Sequence, residues 1–279
     1  MKLKKVQPKI PNYSIFIPKT IISDKESTEY RVSIWNYLST HRTYFGTVTL
    51  IANRMLEFYD VSISKNRSGG ISNIDKFKSY IKHLNDEGYI SGFNEEDFKA
   101  SKNQIITLED QMQRMSEPFA LIRDFEYEYI IKDENLKAPI NKNNLLLVLS
   151  MIKGWMWIRK TTYTGHCERS KKEKPEIFRS TYKSMATFLG LSQREVSACI
   201  KYLEENGFIK TLRLPPTDNG LGLVHGCLLI AMNYKVINDG KCNRLLDYEE
   251  YDPIQELKYG KTFFEDETSE DKLFYQDWQ

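Results

Sequence analysis

The chain has 279 residues, 41% of them hydrophobic and 28% charged, with a formal net charge of +2; that length points to two domains and that composition excludes disordered and fibrous classes. Its apolar runs, among them residues 145–149 (LLLVL), extended after Ser150 by Met151 and Ile152, are well short of the roughly 20 residues of a membrane span. The basic start MKLKKVQPKIPNY has no apolar h-region or small-residue cleavage site, so a cytoplasmic location is expected, with Cys167, Cys199, Cys227 and Cys242, none in a CxxC pair, kept as thiols.

Charge is uneven along the chain. Residues 245–279 carry 11 Asp/Glu against 3 Lys, a net of −8. The 37 basic and 27 acidic side chains that remain give residues 1–244 a net of +10. A basic body of that kind suits a polyanionic partner.

In chain order, residues 1–27 read as a basic arm and a lead-in strand. Residues 30–38 and 48–59 read as two helices, and Ser72 as the N-cap of a third that turns Ile74, Phe77, Ile81 and Leu84 inward. Gly88 ends that helix and residues 89–93 open a strand. A 12-residue insert, 60–71 with Gly69-Gly70, separates the second and third helices. A polar stretch around 94–117 precedes the expected partner strand, 119–131. These elements make a first domain, 28–132. A linker with Pro139, residues 133–142, follows.

The second domain, 143–237, begins with residues 143–159, whose apolar density implies a deeply buried helix. Met185, Phe188 and Leu189 mark a short helix that stops at Gly190. Ser192 and Glu195 form a capping box for the next helix, which places Val196, Ile200 and Leu203 on one stripe beside Cys199 and ends at Gly207. Residues 208–214, a Pro-Pro-Thr-Asp-Asn-Gly turn and residues 224–236 then read as a β-hairpin. The decapeptide IKYLEENGFI at 200–209 repeats IKHLNDEGYI at 81–90 at an offset of 119. The expected fold is therefore mainly α with small β-hairpins (α+β), two winged helix-turn-helix domains in tandem.

The order helix, LxEENGFI, strand resembles the tandem winged-helix replication initiators and initiator-like regulators of bacterial phages and plasmids over residues 12–236. It is more distantly similar to the N-terminal winged helix of primosomal DnaD-like helicase loaders. The resemblance implies a sequence-specific double-stranded DNA-binding protein of a mobile element, an initiator or its close regulator. A transcriptional repressor and a winged-helix module that binds replication or host proteins share the signature. The ending FYQDWQ lacks the loaders' YxxxIxxxW-type motif, so loading activity is not implied.

On the second capped helix, the face opposite the apolar stripe carries Gln193, Arg194, Ser197 and Lys201; Gln and Arg are the types whose forks read adenine and guanine edges. The first domain places Lys78 and Lys82 at the positions of Ser197 and Lys201, with Asn73 and Lys76 near the helix start. That Lys-rich set suits phosphate anchoring better than base reading. The same residues also fit an ordinary solvated helix face. Residues 159–183 hold 8 basic and 3 acidic side chains; Arg169, Lys171, Lys172 and Lys174 there either follow a phosphate backbone or solubilise a loop. The basic arm is a groove-binding segment or a plain terminus. The acidic-aromatic tail, 238–279, is a segment that folds on replication or host proteins, a cover for the basic body, or a solvated or packed terminus.

No catalytic or cofactor chemistry is expected. Gly260-Lys261-Thr262 lacks the upstream glycine of a phosphate loop, Gln255 standing there, and Gly220-Leu221-Gly222 has His225 where a dinucleotide fingerprint needs glycine. His166-Cys167 and His225-Gly226-Cys227 have no usual zinc spacing. There is no GxSxG, and no HxH of the kind metal-dependent nicking initiators use.

Overall fold

The computed structural model describes residues 14–24, 28–62, 71–109, 119–156 and 177–215, and beyond these 217–218, 223–224, 227–234, 236–238, 243–245, 253–254 and 257. The protein is mixed α and β, and all its small sheets are antiparallel. It forms two compact units, Asn12–Gly154 and the chain from Trp155 onward.

The N-terminal unit opens with β1 (Ser14–Pro18), α1 (Lys19–Ser23) and α2 (Arg31–Thr40). Two side chains of α2 fasten the lead-in. The buried Arg31 guanidinium donates from Nε and Nη2 to the Ile22 carbonyl at 3.0 and 2.9 Å, and Trp35 Nε1–H donates to the Phe16 carbonyl at 2.7 Å. Burying a guanidinium works because carbonyls take its protons; burial still pulls its pKa below the usual value.

Next come β2 (Thr47–Leu50), α3 (Ala52–Phe58), α4 (Asn73–Asp86), β3 (Ile90–Ser91) and β4 (Gln104–Leu108). Ser72 caps α4 as expected, its Oγ accepting the Asp75 N–H at 3.1 Å. The expected single helix over 48–59 is a strand followed by a helix. Thr47-Val48-Thr49-Leu50 alternates and its β-branched side chains suit a pleat, with Val48 and Leu50 buried and Thr49 exposed. The strand that completes this sheet is also not the expected 119–131. It is β4, from inside the polar stretch, whose Ile106 and Leu108 turn to the core while its other residues stay outside. The sheet order is β2-β4-β3.

Residues 119–131 divide into β5 (Phe119–Arg123), which pairs with β1, and α5 (Asp124–Lys132). Glu126 makes the break: its carboxylate accepts the Arg123 N–H at 2.6 Å and starts the helix. The same carboxylate is fully buried and receives the Lys153 ammonium at 2.6 Å from α6 (Lys142–Trp155). α6 is buried almost all round, as its composition implies. Its Gly154 lies against Ala120 and Ile22, where an added Cβ would sit 3.4 and 3.5 Å from their side chains. These contacts bind α6 to the N-terminal unit, so the units divide at Gly154 rather than in the expected linker 133–142.

The C-terminal unit contains β6 (Phe178–Ser180), α7 (Tyr182–Leu189), α8 (Gln193–Glu205), β7 (Ile209–Arg213), β8 (Thr217–Asp218), β9 (Leu223–Val224), β10 (Leu228–Met232), β11 (Val236–Asn238) and β12 (Asn243–Leu245). Its main sheet has the order β6-β10-β7, the same arrangement of first, last and middle strand as β2-β4-β3. Ile90 and Ile209, which correspond at the offset of 119, each pair with the last strand of their sheet, with Leu108 and Met232 respectively. Gly88 and Gly207 have φ of 68° and 81°, so each helix-to-strand turn uses the left-handed conformation that glycine adopts without strain.

One face of this sheet is covered from within the expected tail. Leu257, 1% exposed, joins Ile177, Leu229 and Ala231 in a buried cluster flanked by Leu212, Leu214 and Cys227. The C-terminal unit therefore extends past the expected end at 237 to at least Leu257.

Candidate nucleic-acid interface

α8 is held at both ends. At its start, Ser192 Oγ accepts the Glu195 N–H at 3.2 Å while Glu195 accepts from the Ser192 N–H at 2.8 Å. At its end, Glu204 accepts from the Thr211 N–H and hydroxyl, both at 3.1 Å, which ties the helix to β7. The short α7 precedes it across the tight turn at Gly190, and Thr181 caps α7 through the Ser184 N–H at 3.0 Å.

Val196, Cys199, Ile200 and Leu203 are buried. Gln193, Arg194 and Lys201 are exposed and Ser197 is half-buried. The structure thus brings these four polar residues onto the outward side of one rigid helix. Among the described residues, Gln193 and Arg194 make no hydrogen bond or ion pair, and Lys201 meets only the exposed Glu205, at 3.7 Å. The exposed charged residues described in this unit are Lys183, Arg194, Lys201, Arg213 and Glu205, four cations to one carboxylate. Sequence reasoning passed over Lys183 and Arg213. Arg213 sits with its guanidinium 5.7 Å from the Tyr182 ring, and the signal for it is its place at the solvent end of β7.

The corresponding helix of the other unit is different. Lys76 donates to Glu29 at 2.8 Å and lies 5.7 Å from the Tyr30 ring. Lys78 meets Glu95 at 3.4 Å, and Lys82 reaches Asp86 at 3.3 Å and Glu95 at 3.5 Å. The hydrogen bond and charge of Asp86, then the charge of Glu95, hold the Lys82 pKa above its ordinary value. Asn73 is used internally: it accepts from the Tyr30 hydroxyl at 3.2 Å and donates to the Ser62 carbonyl at 2.9 Å. The four candidates do share one helix, but a phosphate there would compete with Glu29, Glu95 and Asp86.

Arg169, Lys171, Lys172 and Lys174 lie outside the described residues, as does the basic arm before Ser14. No known protein-family model and no curated protein matches the chain. Among the described residues there is no group of three His, Cys, Asp or Glu placed to hold a metal ion, and no helix is long and apolar enough to cross a membrane.

Cys199, under the outward face of α8, is a packing thiol. Burial, then the charge of Glu195, push its pKa up to about 12, so almost none of it is thiolate near neutrality. Alkylation with iodoacetamide at mildly alkaline pH, read by peptide mass mapping, is expected to leave Cys199 unlabelled in the folded protein and to label it after denaturation. Labelling of the native protein would show that α8 opens readily.

Proposed function

We propose that the chain is a non-catalytic, cytoplasmic, sequence-specific double-stranded DNA-binding protein built of two winged-helix modules, with α8 as its reading helix. The observation that carries this is the outward face of α8, where Gln193, Arg194, Ser197 and Lys201 stand opposite a buried stripe and the guanidinium forms no ion pair among the described residues. A helix so placed after a tight turn enters the major groove with its N-terminal half, and a strand pair beside it serves as the wing. The repeated order strand, helix, helix, strand, strand in the two units supports the modular part of the reading.

The resemblance to phage and plasmid proteins extends the proposal to a replication initiator or initiator-like regulator of a mobile element. Footprinting on duplexes from the gene's own neighbourhood tests it. A run of regularly spaced protected repeats is the expected result. A single protected operator would make the protein a repressor, and no protection even at low salt would remove the DNA-binding reading.

Arg194→Ala is expected to cost about 1–3 kcal/mol on the protected sequence and to relax base choice at one position. Lys78→Ala is expected to change affinity by less than about 0.5 kcal/mol, since that ammonium is already engaged by Glu95. Anisotropy titrations on cognate and scrambled duplexes measure both. Equal, sequence-independent losses would show that Arg194 reads no base.

A further inference from the structure

The turn between α2 and β2 carries Tyr44 and Phe45, 99% and 83% exposed. They are the only adjacent large hydrophobic side chains left in solvent among the described residues. Their rings meet edge to face, centroids 5.6 Å apart.

The turn beneath them is firmly built. Thr43 N–H donates to the Thr47 carbonyl at 2.8 Å, the hydroxyls of the same two residues lie 2.6 Å apart, and Gly46 N–H donates to the Thr43 carbonyl at 3.0 Å. The Gly46 carbonyl accepts the Leu108 N–H at 2.9 Å, which anchors the turn to β4. Gly46 has φ of 79°, and a Cβ there would lie 3.3 Å from the Leu108 carbonyl oxygen, so the position suits glycine.

The segment that forms the tip carries charge of one sign, while the exposed Glu109 follows Leu108 at its anchor. From Tyr30 to Leu56 there is no Asp or Glu, and the exposed arginines are Arg42 and Arg54. Arg42 makes no ion pair among the described residues. Two exposed aromatic faces on a hydrogen-bonded turn, with an exposed guanidinium two residues earlier in the chain, match a ligand with π-faces and a phosphate backbone, which is a single strand of nucleic acid with unstacked bases. Duplex DNA hides its base faces, so this tip and the α8 face suit different forms of the same polymer.

We infer that Tyr44, Phe45 and Arg42 form a stacking site for single-stranded DNA. The inference rests on the DNA-binding reading and deepens it, since a protein that opens a duplex gains from a site that holds an opened strand.

The test uses the full chain, oligothymidylate as the single-stranded probe and the footprinted duplex as the second. Tyr44→Ala with Phe45→Ala is expected to weaken oligothymidylate binding roughly tenfold or more, with duplex affinity and thermal stability unchanged because both side chains are exposed. Tyr44→Phe with Phe45→Tyr keeps both rings and is expected to keep the affinity. Arg42→Ala is expected to lower the salt slope of single-strand binding by about 0.7. Unchanged oligothymidylate affinity in the alanine pair overturns the inference, and so does a wild type that binds duplex but not oligothymidylate, which leaves the duplex reading standing. Binding of neither form removes both. A loss of self-association by the alanine pair in sedimentation, with both DNA affinities intact, would instead make the tip a contact between copies.

Discussion

Lys153→Ala is expected to lower the stability of the N-terminal unit by about 3–5 kcal/mol. Glu126 is fully buried, and Lys153, itself only 13% exposed, supplies an ammonium at 2.6 Å to its carboxylate. Removing the cation leaves a charge that must stay buried without its counterion, take up a proton, or draw water into the core. Glu126 also accepts the Arg123 N–H at the start of α5, so the damage spreads to the junction of β5 and α5. The paired change Lys153→Met with Glu126→Gln removes both charges and is expected to recover most of the loss. Hydrogen exchange of α2 and α4 amides in urea reads the effect within this unit. A loss under about 1 kcal/mol would mean that the carboxylate relaxes to solvent.

Leu257→Ala is expected to cost about 2–5 kcal/mol in the C-terminal unit. The side chain fills a cluster with Ile177, Leu229 and Ala231, and no charged residue belongs to that cluster. Truncation leaves a cavity where the sheet face was covered, so the amides of β7 and β10 should lose protection first. Deleting residues 245–279 removes Leu257 too, and any rise in DNA affinity after that deletion has to be read beside the stability of the unit. Unchanged exchange in β7 and β10 would place Leu257 outside the core.

What the sequence made legible follows physical signals that are local. The capping box at Ser192 and Glu195, the stripe Val196, Cys199, Ile200 and Leu203, and the turns at Gly88 and Gly207 each sit within a few residues of the structure they specify. The outward face of α8 was legible for the same reason. The pairing of β4 with β2 and β3 was not, because Gln104–Leu108 is a short strand inside a polar stretch and β2 lies far back along the chain. Residues 119–131 are rich in aromatic and β-branched types, which hid the helix that the Glu126 cap begins. The ion pairs of Lys76, Lys78 and Lys82 escaped notice since Glu29 and Glu95 come from other segments. Leu257 was unreadable among the acids around it; only the tertiary structure shows which residue of that stretch turns inward.

The pairing of β1 with β5 sets an order of events during synthesis. Ser14–Pro18 is made about a hundred residues before its partner strand, and Ile17 waits for Ala120 across the ladder. At roughly 5–20 residues per second, a strand edge rich in isoleucine and phenylalanine stays open for about 5–20 s. The C-terminal unit waits in the same way for Leu257. A ribosome that stalls before residue 119 or before 257 thus releases a product with an apolar surface still uncovered, a substrate for chaperones or proteases.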